Sequence, residues 1–212
     1  MDSLSESGAK GWGEYRLDEV CELQAGPSGA SLPSREFLEE GTPLVRPGNI
    51  LDRRVSDSGL VHLAVSTAER LRRYRLEPGD VVGTRTGTLG RFALVIPEQS
   101  GWMYSTQLIR IRPSDRVDPT YLVHYLTLPT VGHWINRHIS GSTVKSITVN
   151  TLGSLPTSLP PLHTQRAIGV SLQALDDKVR LHSEISRTTA ELHDTLAPML
   201  FSGRVPVPIP DP

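Results

Sequence analysis

Two arginines and two threonines surround a glycine turn at Arg85-Thr86-Gly87-Thr88-Leu89-Gly90-Arg91. Those side chains suit a polyanion. A guanidinium grips phosphate or a guanine edge with parallel N–H donors, hydroxyls meet phosphate oxygens, and glycine lets the backbone come close. Similar groups recur in other turns: Arg46 and Asn49, the pair Arg53-Arg54, then Arg70, Arg72, Arg73 and Arg75, and a loop of Ser142, Thr143, Lys145 and Ser146. From Arg35 through Lys145, 15 Lys and Arg stand against 11 Asp and Glu. That excess permits a DNA face built from loops and equally fits scattered, solvated arginines. The candidate DNA-binding set is Arg46, Asn49, Arg53, Arg54, Arg85, Thr86, Thr88, Arg91, Ser142, Thr143 and Lys145, with Arg85 and Arg91 expected to matter most.

Catalytic chemistry is poorly supplied. The glycine turn lacks the lysine and the strand–helix setting of a phosphate loop, so it reads as a tight turn. No Asn/Asp-Pro-Pro-aromatic motif is present, the one that holds the target amine in amino-methyltransferases; Leu159-Pro160-Pro161-Leu162 offers no side-chain carbonyl. His133 and His138 are five apart rather than four, with no acidic residue between them, so no metal site is expected. Asp176 and Asp177 are adjacent on a helix and point in different directions. Cys21 is the single cysteine, which excludes an internal disulfide and suits a reducing cytoplasm. The net charge of −1 gives no global pull toward nucleic acid, so an anion site must come from local clustering. No apolar run reaches membrane-span length, and the polar N-terminus is unlike a signal peptide.

The elements that would carry these turns are short. Pro43-Leu44-Val45-Arg46, Val81-Val82-Gly83, Phe92-Ala93-Leu94-Val95-Ile96 and Leu108-Ile109-Arg110-Ile111-Arg112 read as strands, the last alternating apolar with charged residues. Pro119 to Ile139 predicts one helix, with Asp118 as its cap and Pro119 in its first turn. The expected class is therefore α+β with many short strands. At Pro160-Pro161 the character changes. Thr164 is a candidate cap for a helix running from about Gln165 until just before Pro198. Ile168, Leu172, Leu175 and Val179 are spaced 4-3-4, and a drifting face continues through Leu181, Ile185, Leu192 and Leu196. Such a stripe packs either against its own domain or against a partner. Some 30 helical residues reach about 45 Å, longer than a compact domain of this size, which favours a partner. The expected division is a flexible N-terminus at 1–11, a recognition domain at 12–158, a hinge and spacer helix at 159–203, and a flexible tail at 204–212.

An ordered set of phrases resembles the specificity subunit of type I restriction-modification enzymes. They are Trp12 through Val20, Gly41-Thr42-Pro43-Leu44-Val45-Arg46-Pro47-Gly48-Asn49-Ile50, Leu76-Glu77-Pro78-Gly79-Asp80-Val81, the glycine turn, Gly141-Ser142-Thr143, and Leu159 through Ile168 leading into the long helix. His163-Thr164-Gln165 departs from the family's frequent Glu-Gln. The resemblance implies a target recognition domain and a coiled-coil spacer, in a half-sized form with one of each. It further implies a non-catalytic, cytoplasmic subunit that reads double-stranded DNA. The helix would make a homodimer through Ile168, Leu172, Leu175, Val179, Ile185, Leu192 and Leu196, and the dimer would read a split palindrome with half-sites on the order of 10 base pairs apart. A modification methyltransferase subunit would bring S-adenosylmethionine, with a restriction subunit in some complexes; no cofactor is expected in this chain. The competing expectations are a protein-interaction adaptor and a compact DNA-modifying enzyme.

Overall fold

Val81 and Val82 are neighbours on one strand, point to opposite faces, and are both fully buried. A strand buried on both sides needs a layer on each, and the chain supplies them. The computed structural model describes residues 11–139 and 145–205. Strands run β1 Gly13–Arg16, β2 Cys21–Ala25, β3 Phe37–Leu38, β4 Thr42–Val45, β5 Ile50–Leu51, β6 Arg53–Val55, β7 Val61–Leu63, β8 Val81–Thr84, β9 Phe92–Leu94, β10 Met103–Tyr104, β11 Leu108–Pro113 and β12 Pro156–Leu159. Helices are α1 Leu17–Val20, α2 Val65–Arg70, α3 Pro119–Leu126, α4 Pro129–His138, α5 Val149–Gly153 and α6 Leu162–Phe201.

The central sheet has the order β2-β11-β8-β9-β6-β5. One face carries Val81, Phe92, Ile109 and Ile111, packed with Leu122, Val131, Ile135 and Leu152 from α3, α4 and α5. The other carries Val82, Ala93 and Leu108, packed with Leu44, Leu63, Met103 and Tyr104 of a second sheet, order β10-β4-β7-β3. Antiparallel β1 and β12 form a separate ribbon. Burial pushes the Cys21 thiol up to about 12, so it is an inert core thiol.

Both faces of β11 are covered, including the one that carries its arginines. Arg110 is buried and pairs with Glu22, and the part-exposed Arg112 grips Asp80 through Nε and Nη2 at 2.7 and 2.8 Å. The stretch 119–139 is not one helix. Asp118 does cap it, accepting from the Tyr121 N–H at 2.9 Å. But Pro129 holds Leu128 extended, at φ −62° and ψ 142°, and the chain restarts as α4.

The hinge region differs from expectation as well. α6 begins at Leu162, because the Pro161 carbonyl accepts from both Thr164 N–H (2.8 Å) and Gln165 N–H (3.1 Å). Thr164 is thus inside the first turn and is not the cap. The helix also continues past Pro198, giving 40 residues and about 60 Å rather than 45 Å. The compact unit extends to Val170 and so includes the first turns of α6, while Ser171 onward forms a second unit. Two residues fasten those turns. Gln165 is 1% exposed; its Oε1 accepts from the Asp118 N–H, and its Nε2 donates to the Arg116 and Pro160 carbonyls at 3.0 and 2.8 Å. At Gly169 a Cβ would lie 3.0 Å from the Tyr121 nitrogen, so glycine admits the close approach to α3. Replacing Gln165 with Leu strands three backbone groups, each costing about 1–3 kcal/mol when buried and unpaired. Urea unfolding should show a loss of about 3 kcal/mol for Gln165→Leu, and under about 0.5 kcal/mol for Thr164→Ala.

Candidate nucleic-acid interface

Two of three neighbouring turns, those after β4 and between β8 and β9, line a cleft of about 550 Å³. The first follows β4. Asn49 accepts from the Arg46 N–H through Oδ1 at 3.0 Å and donates through Nδ2 to the Ser58 carbonyl at 2.9 Å. Its amide therefore holds the turn, and the residue is 2% exposed. Arg46 reaches across and donates to the Gly59 carbonyl at 3.0 Å, which fixes its guanidinium at the rim.

The second turn joins β8 to β9. Gly87 and Gly90 have φ of +80° and +83°, conformations that favour glycine and reverse the chain in this short span. Thr84 and Arg91 close its base: the Thr84 N–H donates to the Arg91 carbonyl at 3.0 Å, and the Arg91 N–H donates to Thr84 Oγ1 at 3.3 Å. The third turn is the segment entering α5. Gly87 N–H donates to the Lys145 carbonyl at 3.0 Å, and Thr86 bridges Ser146. Lys145 is exposed and so stands beside the glycine turn.

Arg46, Asn49, Thr86, Thr88 and Arg91 of the candidate set line this cleft, together with Ser58, Gly59, Thr84 and Gln107. Arg85 does not line it. It lies between Thr84 and Thr86 on extended backbone, and alternate residues of such a segment face opposite sides. Its main chain is held by the Gln107 carbonyl and the Ile147 N–H. Arg53 and Arg54 sit on β6, paired with Ala93 and Leu94, and do not line the cleft. Ser142 and Thr143 lie outside the described residues. Arg70 and Arg75 are held by Glu36 and Glu69, and Arg73 lies 4.7 Å over the Tyr74 ring.

Among the described residues no Asp or Glu lines the cleft, although the whole chain carries a net charge of −1. The Nε of Arg46 and the Oγ1 of Thr86 are buried and meet no partner among the described residues. Buried donors of this kind are normally satisfied, so both are poised to meet an acceptor. A second cleft, of about 600 Å³, lies at the hinge and is lined by Trp12, Tyr15, Asp115, Arg116, Pro160 and Pro161. Its arginine is already placed over the Tyr15 ring at 4.7 Å.

Ser58, Gly59, Thr84 and Gln107 were not expected at a site. They come from three segments and share no spacing; only the sheet order brings them together.

Residues 9–188 match the type I restriction modification DNA specificity domain family. The chain is similar to the type I restriction enzyme HindI specificity subunit of Haemophilus influenzae, 22% identical, covering 92% of this chain and 42% of the relative. Its fold is similar to that of the S subunit of a type I restriction-modification system from M. genitalium, TM-score 0.65 at 16% identity, covering 94% of this chain and 48% of the other. It is similar too to the HsdS subunit of Thermoanaerobacter tengcongensis, TM-score 0.62 at 20% identity, covering 96% and 52%. The chain spans about half the length of these relatives. With one recognition-type domain and one long helix, and a match over most of its length, the chain belongs to the type I restriction modification DNA specificity domain family.

Proposed function

We propose that this chain is a non-catalytic DNA-recognition subunit that acts in the cytoplasm within a type I restriction-modification complex. One observation carries the reading: a cleft lined by Arg46, Arg91, three threonines and Gln107, with no carboxylate among the described residues, mounted on turns of the sheets. Arginine and glutamine are the side chains that read guanine and adenine edges with paired hydrogen bonds, and threonines and glycine backbone suit phosphate. The family assignment supplies the context, and the buried donors of Arg46 and Thr86 match a ligand rich in acceptors.

The helix supports the rest of the assembly. Leu172 and Leu181 are nine residues apart, two and a half turns, so they face opposite sides of α6. Leu172, Leu175 and Val179 are exposed on one side, and Leu181, Ile185 and Leu192 on the other. Two apolar faces suit two partners: a second copy, giving a homodimer, and a modification methyltransferase subunit that carries S-adenosylmethionine. A restriction or translocase subunit joins such a complex through its other chains. Ile168 packs on its own domain's core and is not part of either face.

A two-fold dimer presents the same recognition domain twice in inverted orientation, so its target is a split palindrome. Selection of binding sites from a random double-stranded DNA pool, using the full chain with its methyltransferase subunit, should enrich two inverted half-sites around an unread spacer. Removing two turns from α6 should shorten the preferred spacer and leave each half-site unchanged. Enrichment of an asymmetric site would rule out the two-fold reader. No enrichment at all would rule out sequence recognition.

A further inference from the structure

We infer that the cleft at the hinge receives Phe201 of a second copy, with Arg204 of that copy beside Asp115 on the rim. This contact rests on the homodimer proposed above and closes both of its ends. The cleft, of about 600 Å³, suits an apolar guest. Pro160 and Pro161 present rings to it and have no N–H to offer. Their carbonyls are already engaged: that of Pro160 accepts from Gln165 Nε2, and that of Pro161 from the Thr164 and Gln165 N–H groups. A Cβ at Gly13 would stand 2.7 Å from the Tyr15 side chain, so glycine makes room for that ring, and the Arg116 guanidinium lies over it. Trp12 also lines the cleft and is 37% exposed, an indole left partly in water.

The guest is at the far end of α6. Phe201 is the last residue of the helix and, at 95% exposure, the most exposed large apolar side chain among the described residues. The chain around it is well defined. Gly203 has a φ of +70°, its N–H donates to the Leu200 carbonyl at 3.1 Å, and the Arg204 N–H donates to the Met199 carbonyl at 3.0 Å. These paired bonds close the helix at a glycine, so Phe201 and Arg204 stand on a finished end rather than a fraying one.

One chain cannot bring cleft and guest together. The cleft includes Leu162 and Gln165 of the first turn of α6, and Phe201 is the fortieth residue of that helix, about 60 Å along it. A second copy removes the difficulty. A two-fold axis crossing α6 runs the two helices in opposite directions, so the end of each lies at the start of the other, and the contact is made twice. A phenyl ring against the Trp12 indole and the Tyr15 ring buries aromatic surface on both sides. Charge agrees with this placement. Asp115 lines the cleft, is exposed, and forms no ion pair among the described residues. Arg204 is exposed and likewise forms none, and it follows the phenyl ring by three residues.

The test uses the full chain, with substitutions at exposed positions. Sedimentation of a concentration series should give a dimer dissociation constant at least tenfold weaker for Phe201→Ala, since each dimer loses two contacts. Asp115→Arg should weaken the dimer at least threefold by facing Arg204 with a like charge, and adding Arg204→Asp in the same chain should restore it to within about twofold of native. A dimer unaltered by Phe201→Ala overturns the inference and leaves the homodimer standing. So does a double variant no tighter than Asp115→Arg alone. If the methyltransferase subunit fills the cleft instead, Trp12→Ala should release that subunit while Phe201→Ala leaves the dimer intact, and the inference falls. A native chain that is monomeric at micromolar concentration removes homodimer and inference together.

Discussion

Replacing Arg112 with leucine should lower the unfolding free energy by about 3–5 kcal/mol, measured by urea denaturation. Asp80 is 1% exposed, and Arg112 satisfies both of its oxygens. The Asp80 hydrogen bond is also the main cause that raises the Arg112 guanidinium above its ordinary value. The third contact to the carboxylate is the Glu77 N–H at 2.8 Å, which closes the turn before β8. Leucine would leave a buried carboxylate with one backbone donor. Asp80→Asn should cost less, since the guanidinium is part-exposed and keeps Glu77 at 2.8 Å. Combining Arg112→Leu with Asp80→Leu should recover much of the loss, because an apolar pair carries no desolvation cost. Equal losses in the single and double variants would show that β11 and β8 do not depend on this pair.

That pair also marks how far the sequence could be read. Pro78-Gly79-Asp80 is a recognisable turn, and local rules suffice to place one there. Nothing local says that Asp80 turns inward to a strand 32 residues away. The alternation of Leu108 to Arg112 correctly indicates a strand, but it suggests a half-solvated one. The second sheet, whose short strands have no period of their own, covers the face that carries Leu108 and Arg110. Proline effects are short-ranged and were legible at Pro119 and Pro160-Pro161. At Pro129 the same rule applies, but the apolar positions on both sides concealed the break. The mixed α+β class, the long helix and the glycine turn were all visible for the same reason: each is decided within a few residues.

The cleft was half legible. Arginines and threonines beside glycines announced a polar turn, yet side-chain direction decides who faces the ligand. Asn49 had the right chemistry, and its amide is consumed in folding. Arg85 had the right position, and extended backbone turns it away from Thr84 and Thr86. Ser58 and Gln107 carry no signal beyond their own polarity, because the site exists only after β4, β8, β9 and β11 have assembled.

Replacing Arg46 and Arg91 together with alanine should weaken binding to the selected DNA site by about 2–4 kcal/mol, roughly 30- to 1,000-fold. Among the described residues these two guanidiniums supply the formal charge of the cleft lining, and no carboxylate there offsets them. The Arg46 guanidinium is held in place by the Gly59 carbonyl and needs little ordering on contact, whereas Thr84 holds only the main chain of Arg91. Salt dependence separates their roles. If both touch phosphates, the log–log slope of affinity against salt should fall by about two and all sequences should weaken alike. If one reads a guanine edge, the slope should fall by about one and discrimination should relax at a single base position. Arg85→Ala is the internal comparison, and less than a tenfold change is expected, since its side chain does not line the cleft. Specific affinity unchanged in the Arg46→Ala, Arg91→Ala double variant, or an equal loss from Arg85→Ala alone, would move the DNA face away from this cleft and onto the opposite side of the glycine turn.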